Sequence, residues 1–379
     1  MKKRFAAGIL SAAVVFLCGC GSVFDGEYVS VSDYVPTVQE NGKEEGKVTV
    51  RNLTQLKQAL RELVASGEKE GSIQFDSAYD GEATEDMAAA CWQVRSQDAL
   101  CAYCVENISY ELSKIVTYYE AKVSVNYSRD IQQEGSMVRL PYSTGVEDSI
   151  RTALEQGKTR LVVLIGSSTY SAEEMELLVG KVYRSNPAGA TREPHVNVNM
   201  LSGTSLQRLY EINLNYGVSS GELQMRQKAL KELQAFPDGT LEEQDSAHRV
   251  LAICDYLREH CTYSDNGENN DVYAALIQKT ANSEGLALAC VELCHQQGID
   301  CQIVYGQRNW QNHCWDIVNV EGEYYHVDPT VCLTEGLERG FLLSDEAIWN
   351  SHRWDTSAYP RCTGKLNYAS LSADLENNT

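Results

Sequence analysis

Basic residues are scarce in this 379-residue chain: 32 Lys and Arg stand against 53 Asp and Glu, a net charge of −21 at pH 7. So acidic a surface repels phosphate backbones and anionic headgroups, which argues against a nucleic-acid partner. Long hydrophobic runs are missing too. The apolar stretch from Phe5 to Leu17 is too short for a bilayer crossing, which takes about 20 residues. No Gly-rich loop follows a strand to cradle phosphate, and no clear metal constellation stands out, so no cofactor is expected. Phenylalanine is sparse, six against 21 tyrosines. Tyrosine favours strands with one half-wet face, a weak pointer to a carbohydrate or peptide platform. What remains, 43% hydrophobic and 22% charged residues, is ordinary for folded protein and sufficient for two or three domains.

The first twenty residues stand apart. Lys2, Lys3 and Arg4 precede the apolar stretch, the pattern of a secretion signal. Its end, Leu17-Cys18-Gly19-Cys20, resembles the bacterial lipoprotein signal, with Leu at −3, Gly at −1 and Cys20 as the lipid acceptor. Cys18 fits worse, because bulky Leu17 would stand at −1. An ordinary signal peptide containing a Cys is the alternative. Lipid on Cys20 would anchor the protein to the membrane, outside the cytoplasm, without spanning it. Loss of this segment removes three basic residues and no acidic ones, taking the charge from −21 to −24.

Of 13 cysteines, Cys18 and Cys20 belong to that segment, and the odd remainder cannot all pair. Outside the cytoplasm disulfides are allowed, and Cys332–Cys362 and Cys254–Cys261 are candidate pairs. Cys101-Ala-Tyr-Cys104 has metal or redox spacing, but no second CxxC or HxxxH accompanies it. It reads as two thiols on one helical face or a local disulfide.

Residues 21–46 lack periodicity and form a polar tether. Beyond it the sequence repeats itself. VTVRNLTQLKQALRELVASGEKEGSIQFDSAYD begins at 48 and VRLPYSTGVEDSIRTALEQGKTRLVVLIGSSTYS at 138. Each reads as an alternating strand, an amphipathic helix, a Gly and a second strand. KVSVNYS and INLNYG recur later at nearly the same offset. The expectation is two copies of a β-α-β-(α)-β-β unit over 46–133 and 134–222; chance likeness of two ordinary α+β segments is the alternative. A helical linker over 223–240 ends in a Pro-Asp-Gly turn. A C-terminal domain follows over 241–366, then a tail over 367–379.

The C-terminal domain carries the chemistry. Leu286, Cys290, Leu293 and Cys294 repeat at helical spacing, and Gly298 stops the helix. Ser283 opens it. His313 and Asp328 lie in alternating segments, QNHCWDIVNV and EYYHVDPT, separated by a Glu321-Gly322 turn. Paired as a hairpin, these strands would place both side chains on one face. A nucleophile at a helix start, then His, then Asp, is the order of a Cys-His-Asp hydrolase, with oxygen here in place of sulfur.

Residues 245–362 resemble the transglutaminase-like superfamily, in its bacterial secreted and lipid-anchored branch. YAAL (273–276) stands where that branch has an aromatic-small-Leu segment, and Ser283-Glu284-Gly285-Leu286-Ala287 where it has Cys-x-Gly-Tyr-Ala. GIDCQIVYG (298–306), His313-Cys-Trp315-Asp316-Ile-Val, Gly322-Glu-Tyr-Tyr-His-Val-Asp328-Pro-Thr330 and FLLSDEAIWNSHRWDTSAYPRC (341–362) match later motifs in order. The resemblance implies a papain-like α+β domain with His313 as base and Asp328 as its orienter. It supplies no nucleophile, since its Cys corresponds to Ser283 and its Tyr to Leu286. It says nothing of 46–222.

Three roles for Ser283 are open. It is the helix N-cap of a dead site, a role worth about 1 kcal/mol. It is the nucleophile of a working Ser283-His313-Asp328 triad, in which His313 must take its proton during attack. Or another Cys acts instead; Cys314 should point away from His313, and Cys290 lies in the core. His195, His248, His260, His295 and His352 read as surface or satisfied core residues, and His326 as a packing neighbour sharing the face of Asp328. The functional expectation is a non-catalytic binding or adaptor module for a peptide or protein ligand at the cell envelope. The alternatives are a hydrolase or transamidase acting on peptide or amide bonds, and a structural envelope protein.

Overall fold

The structure, a computed structural model, describes residues 47–131, 137–203, 206–236, 241, 244–267 and 269–377. The expected signal segment, Cys20 and the whole of the tether over 21–46 lie outside them. No helix among the described residues is long and apolar enough to cross a membrane. Architecture is mixed α+β.

In the first part β1 (Lys47–Asn52), α1 (Leu53–Ala65), β2 (Glu70–Asp80), α2 (Ala83–Gln97), α3 (Ala99–Cys104), β3 (Val105–Ile115) and β4 (Tyr118–Tyr127) follow one another. The second runs β5 (Val138–Tyr142), α4 (Val146–Glu155), β6 (Arg160–Ser167), α5 (Ala172–Ser185), α6 (Pro187–Ala190), β7 (His195–Ser202) and β8 (Arg208–Asn215). Their four-stranded sheets have orders β1-β2-β4-β3 and β5-β6-β8-β7, each opening with a parallel pair and continuing antiparallel. Local chemistry starts the helices. Asn52 accepts from the Gln55 amide to cap α1, and Ser171 forms a capping box with Glu174 on α5.

The two sheets differ in burial for a physical reason. Strand β6 is apolar throughout Leu161–Ile165 because both its faces are covered. Leu161, Val163 and Ile165 face one core, with Met175 and Val179 of α5, while Val162 and Leu164 face the core of the first part, with Phe75 and Leu100.

Helix α7 (Ser220–Glu232) leads to α8 (Ser246–His260), β9 (Thr262–Tyr263), α9 (Val272–Leu276), β10 (Thr280–Ala281), α10 (Ser283–Gln296), β11 (Cys301–Arg308), β12 (Gln311–Val320), β13 (Glu323–Val327), α11 (Pro329–Glu335), α12 (Leu337–Gly340), α13 (Asp345–Ile348), β14 (His352–Arg353) and α14 (Tyr368–Asn377). The sheet here is antiparallel with order β13-β12-β11-β14, and α10 lies against it. Residues of α5, α7, α8, α10 and β12 share one continuous core, in which α10 is buried almost throughout.

All eleven described cysteines are buried and free, which corrects both suggested disulfides. Cys254 and Cys261 are seven residues apart along α8 and its cap, about 10 Å of rise, beyond disulfide reach. Cys254 instead meets Cys332, where α8 packs on α11. The Cys362 amide is held on Asp345. Cys101 and Cys104 pack in the first core, and the Cys104 thiol donates to the Leu100 carbonyl.

Candidate functional site

Three elements deliver Ser283, His313 and Asp328. Asn282 caps α10, accepting from the Gly285 amide at 3.0 Å, so Ser283 is the first helical residue and not the cap expected of it. Gly285 is required there: a Cβ would stand 2.8 Å from the Asn269 carbonyl. Ser283 is half-buried, and its hydroxyl accepts from the Cys314 amide at 3.4 Å. Among the described residues no hydrogen bond joins that hydroxyl to His313.

His313 and Asp328 do meet. The β12–β13 hairpin pairs Asp316 with Val327, which puts Asp328 beside the strand segment bearing His313. His313 Nε2 donates to Asp328 Oδ2 at 2.7 Å, both side chains buried. A second imidazole joins them: His352 Nε2 donates to the same oxygen at 3.1 Å. His352 is 3% exposed, and β14 carries it there by pairing with β11, Arg308 opposite His352. Asp328 Oδ1 meanwhile accepts from the Val331 amide and caps α11. Burial alone would raise the Asp328 pKa, but the bonds from His313 and His352 outweigh it and hold the carboxyl well below the usual range. Asp328 is therefore an acceptor for both imidazole N–H groups. This fixes the His313 proton on Nε2 and leaves Nδ1 without a hydrogen-bond partner among the described residues.

Trp315 backs the His313 ring, centroids 6.1 Å apart and nearly parallel. Its indole N–H donates to His326 Nδ1 at 3.0 Å, and His326 Nε2 donates to Asp345 Oδ1 at 2.9 Å. Burial pushes the His326 pKa down to about 4 against the pull of Asp345, so His326 is neutral at pH 7 and able to accept from the indole. Gly306 leaves room for this ring; a Cβ there would lie 2.6 Å from Trp315 Cη2. Cys314 packs into the core shared with α10, on the opposite strand face from Trp315, and burial raises its thiol pKa. Cys290 is likewise in the core.

Outside this buried group is an exposed rim. Trp310 at the β11–β12 turn is 78% exposed and Trp349 52%, and the Arg353 guanidinium lies 5.5 and 5.6 Å from their rings. Glu284, next to Ser283, accepts from Tyr305 Oη at 3.0 Å and from Asn270 at 3.2 Å. A groove lined by Trp349, Trp354, Pro360 and Arg361 adjoins the rim; none of Ser283, His313 and Asp328 lines it. The nitrogen and oxygen ligand atoms of His313, Asp328 and His352 lie within 4.8 Å of one another, as do the nitrogen, oxygen and sulfur atoms of His326, Asp345 and Cys362. Hydrogen bonds already account for the imidazole–carboxylate contacts of both groups.

Residues 234–329 match the model of the Transglutaminase-like superfamily, a segment that contains Ser283, His313 and Asp328 and ends short of His352. Among solved structures the chain is similar to one titled "Crystal structure of a TGase", at 12% identity and TM-score 0.21, covering 52% of this chain and 60% of that one. It is also similar to a putative cysteine protease from Cytophaga hutchinsonii, at 11% identity and TM-score 0.21, covering 39% of this chain and 65% of that one. The chain thus spans less than two thirds of either neighbour. No curated protein matches it.

Proposed function

We propose that the C-terminal domain binds a peptide or protein ligand at a bacterial cell surface without turning it over, on a chain anchored by lipid at Cys20. The observation that carries this reading is the Ser283 hydroxyl. It accepts from the Cys314 amide and makes no hydrogen bond to His313. An alcohol, unlike a thiol, is not ionised in advance and needs a base within hydrogen-bond reach. The exposed Trp310 and Trp349, with the half-buried Arg353 between them, supply what a ligand surface requires, flat rings and a cation–π partner. The tether and a duplicated module over 46–222 would hold that surface away from the membrane; the matching strand orders support duplication.

A specific observation also favours an enzyme: the His313–Asp328 pair is intact at 2.7 Å, with Nδ1 unpartnered among the described residues. On this second reading Ser283 is the nucleophile, His313 the base and Asp328 its orienter, in a hydrolase or transamidase of amide bonds. Ser283→Cys addresses the apparatus around the nucleophile. A thiol at the first turn of α10 should react with iodoacetamide near neutral pH, because helix N–H groups and His313 favour the thiolate. A thiol that reacts only in alkali would mean that this apparatus is no longer poised, contrary to the enzymatic reading. Peptide hydrolysis by the natural chain, lost in Ser283→Ala, would replace the binding reading with the enzymatic one.

A further inference from the structure

Beneath α10, two turns below Ser283, three sulfur atoms converge, and a buried carboxylate stands beside one of them. Cys290 and Cys294 stand one turn apart on the helix, and Cys301 opens β11 under them. Their sulfurs all lie within 4.8 Å of one another, and all three residues are buried. Asp316, on the adjoining strand β12, is wholly inaccessible, and neither carboxylate oxygen has a hydrogen-bond partner among the described residues. It lies beside Cys290 without the geometry of a hydrogen bond, and burial, then Cys290, pushes its pKa well above the usual range.

Packing explains three small buried thiols but not the carboxylate. An unsatisfied buried polar group costs about 1–3 kcal/mol, and more if charged. A disulfide would consume two of the sulfurs, leave the third, and do nothing for Asp316. A thiophilic dication accounts for all four groups together. Zinc–sulfur bonds of about 2.3 Å in a tetrahedron place sulfurs about 3.8 Å apart, so a closure of no more than about 1 Å joins the three to one ion. We propose that Cys290, Cys294 and Cys301 form a thiolate site for zinc(II), completed by the Asp316 carboxylate. Binding releases to solvent the three thiol protons and any proton held by the Asp316 carboxyl, and turns Asp316 from an unpaired group into a ligand. The ion ties α10 to β11 and β12, the elements that carry Ser283 and His313. The site stands whether or not Ser283 is a nucleophile. Its spacing, Cys-x3-Cys-x6-Cys with the fourth group on a later strand, is not one that a sequence pattern flags.

The test is metal loading of the full chain, folded under reducing conditions. One zinc per chain should survive dialysis. Cobalt(II) in its place should give thiolate-to-cobalt absorption in the near ultraviolet and the strong visible bands of tetrahedral coordination. Cys294→Ser and Cys301→Ser should abolish that spectrum, Cys104→Ser in the first core should leave it unchanged, and Asp316→Asn should weaken zinc binding by at least the about 10-fold that loss of a group merely orienting a ligand costs. A folded, reduced natural chain that gives no cobalt–thiolate absorption overturns the proposal, with no variant involved. So does a disulfide between any two of the three cysteines in protein recovered from the cell envelope.

Discussion

Asp328 satisfies three donors at once: His313, His352 and the first turn of α11. Because these hold its pKa below the unfolded value, their stabilisation is present above about pH 4 and is lost as pH falls further. His326 acts in a higher window. Its folded pKa of about 4 lies under the ordinary 6.5, so the unfolded chain takes the proton first, and stability falls as pH drops from about 6.5 to 4, by about 3 kcal/mol. His326→Gln should lower stability at pH 7, through the lost Trp315 and Asp345 bonds, yet flatten the dependence between pH 4 and 6.5. Urea midpoints across that range check it; an unchanged slope would place the titration elsewhere. At this scale the sequence was only partly legible. Ser283, His313 and Asp328 could be named because each sits in a periodic segment. The cap could not be assigned, since Asn282 and Ser283 are adjacent and both favoured, and the Asn282 backbone decides it. His352 gave no periodic signal: its strand has two residues, too few for any period.

Among elements, the β12–β13 hairpin and α10 were readable, and for good reason. Glu321 and Gly322 both take positive φ, as a two-residue turn requires, and the flanking alternation sets register. α10 announced itself through Leu286, Cys290, Leu293 and Cys294, although its remaining positions are buried too. What the pattern could not convey was the sheet's other edge, where β14 pairs with β11 after a long excursion through α11, α12 and α13. Gly306 couples that edge to the site, because its hydrogen faces the Trp315 ring. Gly306→Ala should displace Trp315, cost about 1–3 kcal/mol by overpacking, and disturb the His313 ring behind it. Denaturation should show the loss and tryptophan fluorescence the displacement; full stability with an unmoved spectrum would contradict this packing.

For the molecule as a whole, the core of the second sheet runs without a break into the C-terminal domain, through Tyr183, Leu223, Leu230 and Leu286. No periodicity predicts such continuity, since it depends on which apolar faces find each other. The signal for β6 was present as an uninterrupted apolar run, but the first part of the chain as its second cover was not. The acidic composition and the lipid proposed on Cys20 make a whole-molecule expectation: a protein held at the envelope by an acyl chain and not by charge. Cys20→Ser should therefore move the protein from the membrane fraction to the soluble one, with its fold unchanged. Retention in the membrane fraction would remove the anchor from the proposal.

The central claim, that Ser283 is an alcohol left unactivated beside an intact His–Asp pair, is tested most directly by a fluorophosphonate probe on the natural chain. The account predicts no adduct at Ser283 by mass spectrometry, even after prolonged exposure at neutral pH. A stoichiometric adduct on Ser283, suppressed in His313→Ala, would contradict it and establish a working triad.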